Sequence, residues 1–240
     1  MLKAKHIYKS FSRNQSHQGK DKIEENKIEI LKDLNLEVSV GQTIAILGQS
    51  GSGKSTFLST MSGIDELDEG LIEFNGVELS NLTQDEMTKF RGKNIGIIFQ
   101  QFHLLSHLTA LENVSLPMEI QGSQAKEAKN KALELLSAVG LEDRVDHFPS
   151  QLSGGEKQRV AIARSLILDP PLLLADEPSG SLDEDTGQNI MDLIFSLASK
   201  RGSTLVLVTH NQELAKRCEK VYLLEHGQLR DVTEEQVMRV

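Results

Sequence analysis

The order of apolar and polar residues along the chain predicts alternating strands and helices. Three apolar runs predict strands, at residues 43–47, 172–175 and 204–209, and the run at 172–175 is typical of a parallel strand covered on both faces. A fourth run, residues 95–99, is typical of another strand. Residues 2–40 and 70–80 alternate as antiparallel strands do, and a polar, charged tract at 12–26 predicts a mobile loop between them. The pattern therefore favours an α/β fold.

Two further segments have the pattern of helices. Residues 156–168 carry apolar side chains at helical spacing, and the prolines that follow end the helix. Residues 123–139 predict an amphipathic helix. The apolar positions of that helix are Leu133, Leu136 and Val139. The lysines of this helix are expected on its solvated face; they are Lys126, Lys129 and Lys131. This placement favours an ordinary exposed helix surface over a nucleic-acid site.

Residues 48–55 match the pattern G-x-x-x-x-G-K followed by Ser or Thr at every fixed position. They are Gly48, Gln49, Ser50, Gly51, Ser52, Gly53, Lys54 and Ser55. The segment lies between a predicted strand and a helix predicted from residue 55 to 61, which favours a phosphate loop over a plain Gly/Ser-rich turn. We expect Lys54 to reach the β- and γ-phosphates of a nucleotide and the Ser55 hydroxyl to ligate Mg²⁺. Thr56 is a candidate for a further phosphate oxygen.

An acidic pair, Asp176 and Glu177, follows the apolar run at 172–175. Taken alone, the pair is typical of a strand exit with solvated charges. Next to a phosphate loop it predicts a shared divalent cation, with Asp176 holding Mg²⁺ directly or through water. Glu177 is then the candidate general base that polarises the attacking water.

A second glycine pair precedes the helix predicted at 156–168. Its residues are Ser153, Gly154, Gly155 and Glu156. The N-terminus of that helix is a second candidate anion site, and one chain seldom needs two such sites for a single triphosphate. A nucleotide shared at a symmetric interface is an economical explanation. Alternatively, Ser153 caps the helix and Glu156 completes a capping box, and both can hold together.

These segments together resemble the Walker A, signature and Walker B motifs of the ATP-binding subunits of ABC transporters. The similarity runs from about residue 2 to 230, and the Leu-Ser-Gly-Gly-Glu motif at 152–156 is highly specific. The resemblance implies a single P-loop ABC ATPase domain over residues 1–240, with ATP and Mg²⁺ as cofactors. It also implies an α/β fold with a RecA-like parallel-sheet core, an antiparallel β subdomain and an α-helical subdomain within about residues 101–165. ATP would lie between the two copies of a head-to-tail homodimer.

The resemblance carries over further positions. Gln100 falls at the glutamine that contacts Mg²⁺ or the attacking water, with Gln101 as an adjacent alternative. His210 falls at the histidine that reaches the γ-phosphate. Asp183 lies in the loop that meets the nucleotide across the dimer. At two positions, Ser179 and Ser181, the family more often has Thr and Asn. This departure is mild, and ATPase activity is still expected.

Two aromatic residues are candidates to stack on the adenine base. Phe11 occupies the usual position of the stacking residue, and Tyr8 is the nearby alternative. Aromatic residues make up only 4% of the chain, so either ring could instead fill a small core.

Residues 102–114 place several apolar side chains in an expected surface segment, which is typical of a partner site. The stretch resembles that of lipoprotein-release and macrolide-exporter ATPases, whose membrane permease subunits dock there. Folding of this stretch onto its own helical subdomain is the alternative. Two other functions are alternatives: a soluble ABC ATPase acting on DNA or ribosomes, and a nucleotide-dependent regulator of a cell-division membrane protein.

Composition narrows these alternatives. The formal net charge of −9 over 240 residues disfavours general nucleic-acid binding. A single cysteine, Cys218, allows no intramolecular disulfide and indicates a reducing compartment. No apolar stretch approaches the length of a membrane span. The resemblance to ABC transporter subunits then implies a peripheral protein on the cytoplasmic face of the inner membrane.

Overall fold

A computed structural model describes residues 1–12 and 27–237, so most of the loop predicted at 12–26 lies outside the described residues. Within the described part, no helix is both long and apolar enough to cross a membrane. The strands are β1 (Leu2–Ser12), β2 (Lys27–Val38), β3 (Thr43–Leu47), β4 (Glu69–Phe74), β5 (Val77–Glu78), β6 (Ile95–Ile98), β7 (Leu172–Asp176), β8 (Thr204–Thr209), β9 (Lys220–Glu225) and β10 (Gln228–Asp231). The α-helices are α1 (Lys54–Met61), α2 (Gln84–Asn94), α3 (Ala110–Ile120), α4 (Ala125–Ala138), α5 (Gly154–Leu166), α6 (Glu184–Arg201), α7 (Gln212–Ala215) and α8 (Thr233–Val237).

The main sheet has the strand order β10-β9-β3-β8-β7-β6. All of its neighbouring pairs are parallel except β9 with β10. The four predicted strands are confirmed as β3, β6, β7 and β8, and all four are parallel. Because they run in one direction, their carboxyl ends meet at one edge, where the phosphate loop, Gln100, the acidic pair and His210 lie.

A second, antiparallel sheet has the order β2-β1-β4-β5, which confirms the alternation predicted at 2–40 and 70–80. Successive side chains of the central strand β3 point to opposite faces of the sheet, so they belong to two different hydrophobic cores. Ile44 and Ile46 pack with the antiparallel sheet and α1, whereas Ala45 and Leu47 pack with α3 to α6. Cys218 is buried in the second core, and burial raises the pKa of its thiol to about 12.

Two helix predictions need correction. Helix α5 begins at Gly154, two residues earlier than predicted, because Ser153 caps the helix and both glycines adopt helical geometry in its first turn. Helix α4 is amphipathic as predicted, but Leu133 remains 36% exposed. Leu136 and Val139 are buried as predicted, together with Ala128, Ala132 and Leu135. Alanine side chains are small, so they suit a face that packs against neighbouring helices. A pattern based on the large apolar residues alone does not include them.

Gly96 of β6 allows the end of α5 to pack directly on the sheet. A Cβ at this position would lie 2.4 Å from the backbone oxygen of Ser165. We therefore expect Gly96→Ala to lower the free energy of unfolding by roughly 1–3 kcal/mol, because backbone must move to relieve the contact. Urea unfolding followed by circular dichroism measures this change.

Gly92 in α2 provides the matched control. A Cβ there would meet only the Nε2 end of the flexible Gln121 side chain, at 2.6 Å. Gly92→Ala should be neutral or stabilising by roughly 0.5–1 kcal/mol, because alanine is the better helix former. Equal destabilisation by both substitutions would contradict the assignment of the close approach to Gly96.

Candidate nucleotide site

The predicted phosphate loop connects β3 to α1. Gly51 and Gly53 have φ values of 81° and 98°, in the left-handed region that favours glycine. A Cβ at Gly53 would lie only 2.6 Å from Cγ2 of Ile30, so β2 also restricts this position. The loop therefore requires glycine for both backbone conformation and space, immediately before the N-terminus of α1.

Lys54 is the charged centre of this loop. Its side chain is only 7% exposed, and its ammonium donates hydrogen bonds to the carbonyls of Gly48 (2.9 Å) and Gln49 (3.0 Å). Ser52 contributes a buried hydroxyl that has no hydrogen-bond partner among the described residues. A buried polar atom without a partner is costly, and a phosphate oxygen within the loop would satisfy it. The ammonium, this hydroxyl and the helix N-terminus together make an anion site.

Asp176 ends β7 beside the phosphate loop. The Ser55 hydroxyl donates to its Oδ2 at 3.0 Å. Burial raises the pKa of Asp176, the hydrogen bond from Ser55 opposes that change, and the neighbouring carboxylate of Glu177 adds to it. A carboxylate and a hydroxyl in contact are oxygen ligands of the kind that Mg²⁺ binds, so these residues fit the predicted metal.

Glu177 lies between two other predicted site residues, Lys54 and His210. One carboxylate oxygen, Oε1, is 3.5 Å from the ammonium of Lys54, and the other, Oε2, is 2.9 Å from Nδ1 of His210. Its backbone has φ of 42°, unusual for a residue with a side chain, and its N–H donates to the carbonyl of Val208 at 2.9 Å. The structure thus brings Lys54, Glu177 and His210, predicted separately, into one contacting group.

Gln100 follows β6 and meets the segment that precedes α6. Its backbone carbonyl accepts a hydrogen bond from the Ser181 hydroxyl at 3.2 Å. A Cβ at Gly180 would lie 2.9 Å from Nε2 of Gln100, so the amide lies against this glycine. Both glutamines are exposed, but neither of these contacts involves Gln101.

Asp183 has a structural role that the sequence did not indicate. It is the N-cap of α6, where its Oδ1 accepts a hydrogen bond from the N–H of Thr186 at 3.0 Å. This backbone hydrogen bond is the main cause of the lowered pKa of Asp183.

The glycine pair at 154–155 forms the first turn of α5. The predicted capping box is present: Glu156 N–H donates to the Ser153 hydroxyl, and Ser153 N–H donates to the Glu156 carboxylate at 2.8 Å. The backbone hydrogen bond from Ser153 is the main cause of the lowered pKa of Glu156. Among the described residues, no hydrogen bond or ion pair links residues 153–156 to residues 48–56. The chain therefore has two separate candidate anion sites.

The two candidate stacking residues both lie on β1. Phe11 is 44% exposed, and the ammonium of Lys9 lies 5.1 Å from the centroid of its ring. Tyr8 is partly buried and pairs with Glu69 of β4. An exposed ring with a cation on one face suits base stacking, and Phe11 and Tyr8 both stay candidates.

Sequence reasoning missed Arg164 of α5. Its guanidinium donates to the backbone carbonyls of Phe102 and His103, just after Gln100. The contact joins residues 61 positions apart, and no local pattern marks either partner.

Comparison with known proteins agrees with this geometry. Residues 31–180 match the family model described as ABC transporter. The chain is 46% identical over 207 residues to the uncharacterized ABC transporter ATP-binding protein YbbA of Escherichia coli, covering 86% of this chain and 91% of YbbA. It is 47% identical over 206 residues to the lipoprotein-releasing system ATP-binding protein LolD of Treponema denticola, with coverage of 86% and 91%.

A solved structure is similar over almost the whole chain. The ATP-binding cassette MJ0796, solved as a dimer in a post-hydrolysis state with ADP and Pi, has a TM-score of 0.84 and 39% identity to this chain. The alignment covers 96% of this chain and 97% of that one. The chain belongs to the ABC transporter family, as an ATP-binding and ATP-hydrolysing subunit.

The cap at Asp183 leads to a prediction that separates its two roles. Asp183→Ala should lower the free energy of unfolding by about 1 kcal/mol, because the N–H of Thr186 loses its acceptor. Asp183→Asn keeps an oxygen acceptor and should unfold close to the wild-type midpoint in urea. If both variants unfold at the same reduced midpoint, the cap assignment is wrong. A loss of ATP turnover in the stable Asn variant would identify a role for the carboxylate beyond capping.

Proposed function

We propose that two copies of this chain bind ATP head to tail and use its hydrolysis to drive a membrane permease partner in lipoprotein release or envelope export. The observation that carries the proposal is the separation of the two anion sites. Lys54 and its loop form one site, and the capped glycine turn at 153–155 forms the other, with no hydrogen bond between them in the described chain. In the proposed dimer, a second copy supplies its glycine turn to this phosphate loop.

The dimeric assembly has support in the comparisons. MJ0796 is solved as a dimer, and its similarity to this chain extends over 96% of the residues. The N–H groups of Gly154 and Gly155 belong to the first turn of α5, so they have no acceptor within the helix. In a head-to-tail dimer these groups and the Ser153 hydroxyl bind the triphosphate of the opposite copy.

Within each site, the residues divide into binding and catalytic groups. The phosphate loop and Lys54 bind the β- and γ-phosphates, and Phe11 or Tyr8 stacks on the base. Glu177 is the general base, oriented by its contact with His210. Mg²⁺, when bound, neutralises charge on the phosphates. Ser55, Asp176 and Gln100 are the residues that would hold it.

The names of relatives support the proposed partner and location. LolD is named as the ATP-binding protein of a lipoprotein-releasing system. We propose the same class of permease subunit, of the lipoprotein-release or macrolide-exporter type, as partner. The chain would then lie peripherally on the cytoplasmic face of the inner membrane as a single domain, residues 1–240, whose helical subdomain lies within about residues 101–165.

Glu177→Gln tests both the general base and the shared site. The amide keeps the shape of the side chain but cannot accept the proton of water, so ATP turnover should fall roughly 10²- to 10⁴-fold. ATP binding should persist, and light scattering should show a dimer with ATP but a monomer with ADP. A variant that hydrolyses at the native rate would refute the role of the base, and one that stays monomeric in saturating ATP would refute the shared site.

Lys54→Ala is the matched control, because it removes the cation of the same contact. This variant should lose affinity for ATP itself, measured by calorimetry, and should form no dimer. Unchanged ATP affinity would count against the phosphate loop assignment.

The permease partner has its own test. Affinity-tagged Glu177→Gln protein, added with ATP to solubilised membranes of its source cells, should retain an integral membrane protein of the lipoprotein-release or exporter class. The Lys54→Ala variant should retain less of it, since coupling requires the nucleotide. Recovery of a division protein or of ribosomes would replace the transport function with one of the alternatives.

A further inference from the structure

The segment between β6 and α3 has an unusual backbone just after Gln100. Phe102 and His103 have φ values of 52° and 49°, so two successive residues with side chains adopt the left-handed region. The ring of Phe99 meets that of His103 edge to face, with centroids 4.7 Å apart. Such a conformation persists only where the surroundings determine it.

Two side chains from elsewhere in the chain hold this segment. Arg164, in the last turn of α5, donates from one nitrogen to the carbonyl of His103 (2.6 Å) and from another to the carbonyl of Phe102 (2.8 Å). Ser181, before α6, donates to the carbonyl of Gln100 at 3.2 Å. Three backbone carbonyls within four residues therefore accept hydrogen bonds from side chains of two other segments.

The guanidinium of arginine suits this arrangement. Its planar fork presents several N–H donors at fixed angles, and it stays charged at any physiological pH. Lysine has a single ammonium on a flexible stem, so it cannot hold both carbonyls in the same geometry. The hydrogen bond to Phe102 is partly buried, which strengthens it because water competes less for the donor, whereas the one to His103 is exposed.

We propose that Arg164 is a positioning residue, which holds the backbone at residues 102–103 and thereby fixes the placement of the Gln100 amide against Gly180. Gln100 then meets Mg²⁺ or the attacking water in one orientation. The α5 helix also carries the glycine turn at 153–155 at its other end. The same helix thus links the nucleotide contact of the opposite copy to the placement of Gln100. This inference rests on the proposed role of Gln100 in ATP hydrolysis.

A double-mutant cycle tests the inference in the full-length protein. Arg164→Lys should lower kcat for ATP roughly 10- to 100-fold with little change in KM, because the reacting groups are misplaced while the phosphate loop is intact. Gln100→Ala should lower kcat by a similar factor. If Arg164 acts through Gln100, the double variant should turn over ATP as slowly as Gln100→Ala alone and no slower.

The control is Arg217→Lys, the same chemical change at an arginine that contacts Asp192 and the ring of Phe195. This variant should keep the native kcat. If Arg164→Lys fails to fold, Ser181→Ala removes the hydroxyl that holds the Gln100 carbonyl, and the same non-additivity with Gln100→Ala is expected.

Three results would overturn the inference. The first is a native kcat for a folded Arg164→Lys variant. The second is a loss from Arg164→Lys that is undiminished in the Gln100→Ala background, which would show a general structural role. The third is a native kcat for Gln100→Ala, which would refute the proposed role of Gln100 and the inference with it. Only this third result contradicts the proposed site, so the two failures are distinguishable.

Discussion

The buried charge of Lys54 is the constraint on which the nucleotide site depends. A lone ammonium in a protein interior is strongly unfavourable, so oxygen atoms must surround it. Here they come from the backbone of its own loop and from Glu177, which follows a strand that is separated from β3 by β8. Removing one partner of such a buried pair typically costs about 3–5 kcal/mol, so the loop, the sheet order and the carboxylate are energetically linked.

This requirement explains the local geometry around Glu177. Its left-handed backbone costs on the order of 1–3 kcal/mol, yet it turns the carboxylate toward both Lys54 and His210. Its N–H donates a hydrogen bond to the carbonyl of Val208 in β8. Strand β8 ends at Thr209, the residue before His210. Strain at this residue thus aligns the groups that the chemistry needs.

In the segment after Gln100, contacts with other parts of the chain likewise stabilise an unfavourable backbone conformation. Phe102 and His103 each adopt an unfavourable φ, which costs about 1–3 kcal/mol per residue. The two charge-assisted hydrogen bonds from Arg164 contribute roughly 1.5–3 kcal/mol each, enough to offset that strain. The balance is close, so the conformation of this segment depends on α5 staying in place.

The amino-acid sequence by itself determined the elements whose signals are local. The glycine pattern at 48–55, the apolar strands and the capping box at Ser153 each lie within about a dozen residues, where spacing alone defines the geometry. Only the tertiary structure decided the grouping of Lys54 with Glu177 and His210, the exposed position of Leu133 and the hydrogen bonds from Arg164 to Phe102 and His103. These features depend on which segments the folded sheet and helices bring together, and on backbone conformations that neighbouring side chains impose. Such long-range contacts leave no periodic trace along the chain.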